Sequence, residues 1–339
     1  MGEFKKKKPT IYDIAKLSGV SPKTVSRVVN GGEKVKRSTY EKVKKILDEY
    51  NYVPNTYAQS LITKRINNIL ISVKKTQSYP LKWFSILLER IILECRKHNL
   101  NVIVEYVENG ATMEDSILYA SSSFVGAAII FYESEDDERI RLLKKFGIPF
   151  VVFGKSYTDG VIYVTNDDYG SLKSLYNYLY GQGFKKMLML MGNKTNTNME
   201  RARGALDACR ELGLPEDTIE VVYSLKTIDD VYQFSKQYFA SRPPVEVVFV
   251  SGDEKVIGLI HALNELGIRI PDDVSVVGFD NIPIAEHYTP PLTTIAQDYA
   301  TLSREIVERI VHLIEGRHDL ESVEVPTWLI VRNSVKPRA

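Results

Sequence analysis

Cysteine is scarce in this chain of 339 residues: Cys95 and Cys209 are the only two, and neither has a C-x-x-C neighbour or a histidine at ligand spacing. A disulfide framework and a thiolate metal site are excluded, and two buried, reduced thiols are expected. The five histidines, His98, His261, His287, His312 and His318, stand singly, so they supply neither a metal ligand set nor a paired base. No apolar run nears the roughly 18 to 20 residues of a membrane span, and no apolar segment accompanies Lys5 to Lys8 to direct secretion. A cytoplasmic protein without membrane contact is expected. Also missing are G-x-G-x-x-G after a strand, G-x-x-x-x-G-K-[ST], G-x-S-x-G and H-E-x-x-H, the usual signatures of nucleotide, hydrolase and zinc-protease chemistry. The adjacent acids Asp167-Asp168 and Asp272-Asp273 read as loop residues. Neither an enzyme nor a cofactor is expected.

What is present is an ordinary globular composition, 44% hydrophobic and 26% charged, at a length suited to about two or three units. The net charge of +1 conceals a division: residues 1 to 65 hold 15 Lys and Arg against 6 Asp and Glu, leaving 29 and 37 to the remainder. A basic head of +9 precedes an acidic body of −8. Such a head suits a polyanion, most simply nucleic acid.

The head carries three successive helix signals. Thr10-Ile-Tyr-Asp13 has the form of a capping box, opening a helix that turns Ile14, Ala15 and Leu17 inward and stops at Ser18-Gly19. Ser21 as N-cap and Pro22 at the first position open a second, whose Val25, Val28 and Val29 share one face and leave Lys23, Thr24, Arg27 and Asn30 to solvent. A third box, Ser38-Thr-Tyr-Glu41, opens a helix whose Val43, Ile46 and Leu47 close a three-helix core. Two short helices around a glycine-containing turn, with hydrogen-bonding groups along the second, describe a helix-turn-helix able to enter a major groove. Arg and Lys can read guanine edges, while Thr and Asn can bond phosphates or adenine. Beyond it, Tyr52-Val-Pro-Asn55 stops the third helix, and residues 56 to 62 are too short to hold a helix unaided in water.

The strings TIYDIAKLSGVSPKTVSRVVNG and YNYVPNTYAQSL resemble the DNA-binding headpiece of the lactose-repressor (LacI/GalR) family of bacterial transcription regulators. The resemblance implies DNA contacts from Thr10, Tyr12, Ser21, Pro22, Lys23, Thr24, Ser26, Arg27 and Asn30, and from Asn55, Ala58, Gln59 and Leu61 in a hinge. It also implies that paired hinge helices order in the minor groove, where Leu61 wedges between base pairs. The implied partners are a double-stranded operator, a small-molecule effector and a second copy of the chain.

From residue 69 onward, short apolar runs alternate with amphipathic stretches. Strands are expected at residues 69 to 73, 102 to 107, 127 to 131, 150 to 153, 187 to 191, 247 to 250 and 274 to 279. Helices are expected at 83 to 97, 169 to 180, 201 to 212, 255 to 266 and 302 to 315. Apolar strands between helices mean parallel sheets covered on both faces, a doubly wound α/β body. About 270 residues is large for one such sheet. The resemblance implies two subdomains similar to periplasmic binding proteins, with chain crossings near residues 166, 295 and 325. The expected division is 9–55 for an all-α headpiece, 56–66 for the hinge and linker, and 67–339 for effector binding and dimerisation. Within the last, one subdomain takes about 67–165 and 296–325, the other about 166–295 and 326–339.

Ligands of such sheets collect at the carboxyl ends of the strands. Gly192-Asn-Lys with Arg201-Ala-Arg-Gly204, and IPDDVSVVGFDN at 270 to 281, are similar to the family's cleft segments. They imply that Arg201 and Asp280 face each other as a polar clamp. Tyr299, after PPLTTIAQD, is the implied aromatic wall, and Trp83 or Phe84 the ring that stacks on a sugar. Gly183-Phe184, Gly252-Asp253 and Leu225-Lys226 depart from the family pattern, which leaves the effector open; Lys226 could favour an acidic or phosphorylated sugar. The C-terminus shows no leucine heptad, so a dimer without a tetramerisation tail is expected. The sequence thus describes an effector-controlled regulator, a repressor of sugar-utilisation genes. Its alternative is a sugar-binding or sugar-processing protein with an incidental basic head.

Overall fold

The computed structural model describes residues 9–29, 35–52, 66–75, 82–108, 114, 116–120, 122–242 and 245–336. The chain divides into two units, Met1–Ile66 and Asn67–Ala339. In the first, α1 (Ile11–Ser18), α2 (Pro22–Val29) and α3 (Arg37–Glu49) surround Ile14, Ala15, Val25, Val28 and Val43, with Ile46 and Leu47 at the margin. Thr10 caps α1 with the reciprocal Asp13 bond that a capping box requires, and Gly19 closes it in the left-handed conformation. Ser21 Oγ accepts from the Thr24 amide at 3.2 Å, which fixes the start of α2.

Two expectations for this unit fail. Leu17 is 47% exposed, because Ser18 takes the inward position and donates its hydroxyl to the Ile14 carbonyl at 2.6 Å. The third capping box does not form: α3 starts two residues earlier, behind Lys36, and Glu41 pairs with Arg37 at 3.1 Å.

The second unit holds two six-stranded sheets. The first is built from β1 (Asn68–Lys74), β2 (Asn101–Val107), β3 (Ala127–Phe131), β4 (Phe150–Phe153) and β5 (Tyr163–Asn166). The second is built from β6 (Met187–Leu190), β7 (Ile219–Val222), β8 (Val247–Val250), β9 (Ser275–Asp280) and β10 (Thr293–Ala296). The chain then returns to give β11 (Val323–Val325) to the first sheet and β12 (Trp328–Ile330) to the second. The orders are β11-β5-β4-β3-β1-β2 and β12-β10-β9-β8-β6-β7. Pairing is parallel apart from β12, which runs antiparallel to β10. Strands β3, β6, β8, β9 and β10 are buried along their whole length, as strands covered on both faces must be.

The helix Lys82–Lys97 buries Phe84, Leu87, Ile91 and Cys95, one stripe at helical spacing. It shares a core with Leu302, Ile306, Val307 and Ile310 of the helix Tyr299–Ile314. Both cysteines are buried and free, and burial pushes the Cys95 thiol up to about 12. In each sheet the strand order reverses between the first strand and the third, so that a crevice opens at the carboxyl ends of the strands.

Candidate functional site

A cavity of about 530 Å³ lies between the two sheets of the second unit. Its lining comes from strand ends: Lys74 closes β1, Phe153 β4, Asn166 β5 and Asp280 β9, while Gly192, Ser251 and Gln297 follow β6, β8 and β10. The ends of β1 and β3 are held in place by Arg139, whose guanidinium donates to the carbonyls of Ser72 at 3.0 Å, Phe131 at 3.1 Å and Tyr132 at 3.2 Å. Asp137 grips the same guanidinium at 2.8 Å, and both side chains are almost wholly buried.

On the first sheet's side the wall carries aromatic rings, with Lys74, Glu133, Glu135 and Lys155 beside them. Trp83 packs edge-on to Tyr132 at 6.1 Å and tilted against Phe153 at 5.7 Å. On the second sheet's side it is cationic, with Lys194, Arg201, Lys226 and Lys255. The helix Asn196–Glu211, capped by Thr195, opens into the same wall, so that its positive pole adds to theirs. The two sides touch through Asn196, whose amide donates to Tyr157 Oη at 2.9 Å and whose side chain donates to the Ser156 carbonyl at 3.2 Å.

Arg201 is 8% exposed. It donates to Asp168 at 2.7 Å and Ser251 at 2.8 Å, and its guanidinium lies 3.5 Å above the Phe279 ring. Burial holds the Asp168 carboxyl above its usual range despite that partner. Asp280 accepts from Gln297, which in turn accepts from Asn166 Nδ2 at 2.8 Å. Burial pushes Asp280 up to about 7, against the pull of Arg201, Gln297 and Lys255. The amide oxygen of Asn166, Oδ1, has no donor among the described residues, although that side chain is 4% exposed and lines the cavity. Such an orphan costs about 1 to 3 kcal/mol until something donates to it.

Against the expectations, Arg201, Asp280 and Trp83 do reach the cavity. The clamp, however, is different: Arg201 pairs with Asp168 and Asp280 with Gln297, since both acids are buried and each takes its nearest donor. Phe84 is not a wall residue. It is 2% exposed and packs edge-on to Phe131 at 5.0 Å in the first core. Tyr299 is not among the lining residues either; its ring packs on that core and its hydroxyl donates to the Asp280 carbonyl at 3.1 Å. Asn166, Ser251, Lys255 and Gln297 were not singled out by sequence. Gln297 and Ser251 stand directly after strands, the one local signal that could have marked them.

In the first unit, Thr10, Ser21, Lys23 and Arg27 are exposed, Pro22, Thr24 and Ser26 half-buried, and Tyr12 is 72% exposed. Of the side chains expected to meet DNA, Lys23 and Arg27 are thus exposed on α2, and Thr10 and Tyr12 are exposed at the start of α1. Asn30, Asn55, Ala58, Gln59 and Leu61 lie outside the described residues.

Residues 10–55 match the model for bacterial regulatory proteins of the lacI family, and residues 176–335 match that for a periplasmic binding protein-like domain. The chain is 30% identical over 337 residues to the HTH-type transcriptional repressor PurR of Vibrio vulnificus (strain CMCP6), covering 96% of this chain and 98% of that one. Its structure is similar to that of the lac repressor dimer bound to operator and the anti-inducer ONPF, with a TM-score of 0.85, 26% identity and coverage of 97% and 99%. The transcriptional regulator CelR in complex with cellobiose gives a TM-score of 0.71, 25% identity and coverage of 96% and 99%. Among the described residues no helix is long and apolar enough to cross a membrane. On the strength of both halves, the chain belongs to the lacI family of bacterial regulatory proteins, transcription regulators rather than enzymes.

Proposed function

We propose that this chain represses carbohydrate-utilisation genes in the cytoplasm, binding a palindromic operator as a homodimer and releasing or tightening it when a sugar-like effector enters the body cavity. One observation carries the reading: a basic helix-turn-helix unit and a 530 Å³ cavity, part aromatic and part charged, at the carboxyl ends of the strands of two sheets occur in one chain. The family match over both units leaves the alternative of an incidental head without support.

In this reading, residues 9–55 dock α2 in the major groove. Lys23 and Arg27 reach base edges or phosphates, Thr10, Tyr12, Ser21, Pro22, Thr24, Ser26 and Asn30 fix the docking, and a two-fold pair reads half-sites one helical turn apart. Residues 56–66 form the hinge, in which Asn55 caps, Ala58 and Gln59 face the minor groove and Leu61 wedges between bases. Residues 67–339 sense the effector through Arg201, Asp280 and Trp83. An effector that prefers one setting of the two sheets shifts the DNA-ready fraction by its differential affinity. A coupling of about 1 to 3 kcal/mol changes operator affinity roughly 5- to 150-fold.

A salt-dependent gel shift on palindromic DNA, with the full chain and a chain lacking residues 1–65, tests this. Binding should vanish with the head and weaken steeply as salt rises. Salt-insensitive binding, or binding that survives without the head, would overturn the reading.

A further inference from the structure

The cavity's cationic wall contains a lysine that the sensor reading does not use. Lys255 is 3% exposed, and of its three ammonium protons one is accounted for, by donation to the Leu225 carbonyl at 3.1 Å. Among the described residues no carboxylate lies within ion-pair distance of it. Asp280 and Asp230 attract it from farther off, and Arg201 repels it. The lysine reaches this place because residue 252 is glycine, with φ +130: a Cβ there would lie 3.2 Å from Lys255 Cε and 3.8 Å from Asp280 Oδ2.

A side chain at 192 would likewise sit 3.7 Å from the ammonium, so Nζ lies against the loop that leads into the helix Asn196–Glu211. Lys226 and Lys194 stand exposed at the rim of the same wall. Of the nearby acids, Asp168 is paired with Arg201, and Asp280 accepts from the neutral Gln297 through one oxygen. Across the cavity, Glu133 already accepts from Ser156 Oγ, the Tyr157 amide and Thr158 Oγ1, and Glu135 is exposed.

We propose that the effector carries an anionic group, a carboxylate or a phosphate ester, seated against Lys255, Lys226 and Lys194, while a hydroxyl on its other side donates to the orphaned oxygen of Asn166. The proposal rests on the effector-sensing reading and narrows it to acidic or phosphorylated sugars. A neutral sugar could satisfy Asn166 and stack on Trp83, but it would leave the buried ammonium with only the more distant attraction of Asp280 and Asp230, a costly arrangement. A charge-assisted bond to an anion removes that cost.

The test uses the full chain with inorganic phosphate as probe, against chloride at equal ionic strength. Phosphate is expected to raise the unfolding temperature of the native chain and to do so far less for Lys255→Met. Lys226→Met, at an exposed position where folding is not at stake, is expected to lose part of the effect. No phosphate-specific rise, or an equal rise in all three chains, overturns the anionic site. Calorimetry with glucose, glucuronate and glucose 6-phosphate then compares matched ligands. A charged member binding about ten-fold tighter or more supports the proposal, and equal or tighter binding of the neutral sugar overturns it. The sensor reading is judged apart, by operator retention. A neutral sugar that alters retention while phosphate leaves stability unmoved removes the anionic group and keeps the sensor. Silence of every probe in both assays removes both.

Discussion

The two sheets of the body share one strand order yet meet the cavity with opposite chemistry. In the first, the crevice at the reversal is walled by Trp83, Tyr132 and Phe153; of its buried charges, Arg139 and Asp137 brace the backbone and face each other, and Glu133 lines the cavity with its oxygens already taken by Ser156, Tyr157 and Thr158. In the second, the equivalent crevice is walled by Lys194, Arg201, Lys226 and Lys255, and the buried Arg201, Lys255 and Asp280 themselves line the cavity. The topology places a site; the few residues that follow each strand decide what it binds.

The comparison breaks most severely when a buried pair loses one member. Arg139→Met should destabilise the body by about 3 to 5 kcal/mol, seen in thermal unfolding, because Asp137 stays buried without its partner. Arg201→Met should cost a similar amount through Asp168, and should in addition abolish effector response. Equal effector responses in the two variants would erase the contrast between a bracing pair and a lining pair.

A smaller effect separates the walls by pH. Burial lowers Lys255 from 10.5 to about 8, so between those values the unfolded chain binds the extra proton. Stability should therefore rise as pH rises from about 8 toward 10.5, and this rise should disappear in Lys255→Met. Asp280 has the opposite sign. Its folded value of about 7 lies above 3.8, so its contribution is present at low pH and lost as pH climbs through about 7, and Asp280→Asn should remove that slope. Denaturant titrations across pH measure both.

On the aromatic side, Trp83→Ala should weaken sugar binding by about 0.5 to 1.5 kcal/mol in calorimetry while leaving phosphate stabilisation intact. The smallest change is expected from Tyr157→Phe. It removes one hydrogen bond between the two sides, worth about 0.5 to 1.5 kcal/mol, and should shift operator retention slightly without changing which ligand binds.

How far the sequence could be read follows the same physics. Strands β3, β4 and β8 run where their apolar residues end. Strands β5 and β10 were missed because Tyr163-Val-Thr-Asn166 and Thr293-Thr-Ile-Ala296 mix polar residues into short runs, and burial of those threonines depends on partners far along the chain. The helices Glu138–Phe146 and Ile228–Ser241 were missed beneath their charges. In the site, Arg201 and Asp280 were legible from local strings, but their partners were not, since Asp168 opens the helix after β5 and Gln297 follows β10, both far along the chain. Trp83 and Phe84 are adjacent on one helix, where a step of about 100° sends one ring to the cavity and the next to the core. Sequence offered both and could not choose. Lys255, between Glu254 and a run of apolar residues, reads as a surface charge until the fold closes over it.

The glycine at 252 makes the ligand preference of this receptor adjustable from a residue whose side chain touches no ligand. At φ +130 any side chain is strained, and a Cβ would press on Lys255 Cε at 3.2 Å, so Gly252→Ala should both cost stability and loosen the seat of the ammonium. On the same neutral and charged sugars that change should narrow the preference for the charged ones, so that taste in this pocket is written in the backbone before it is written in charge.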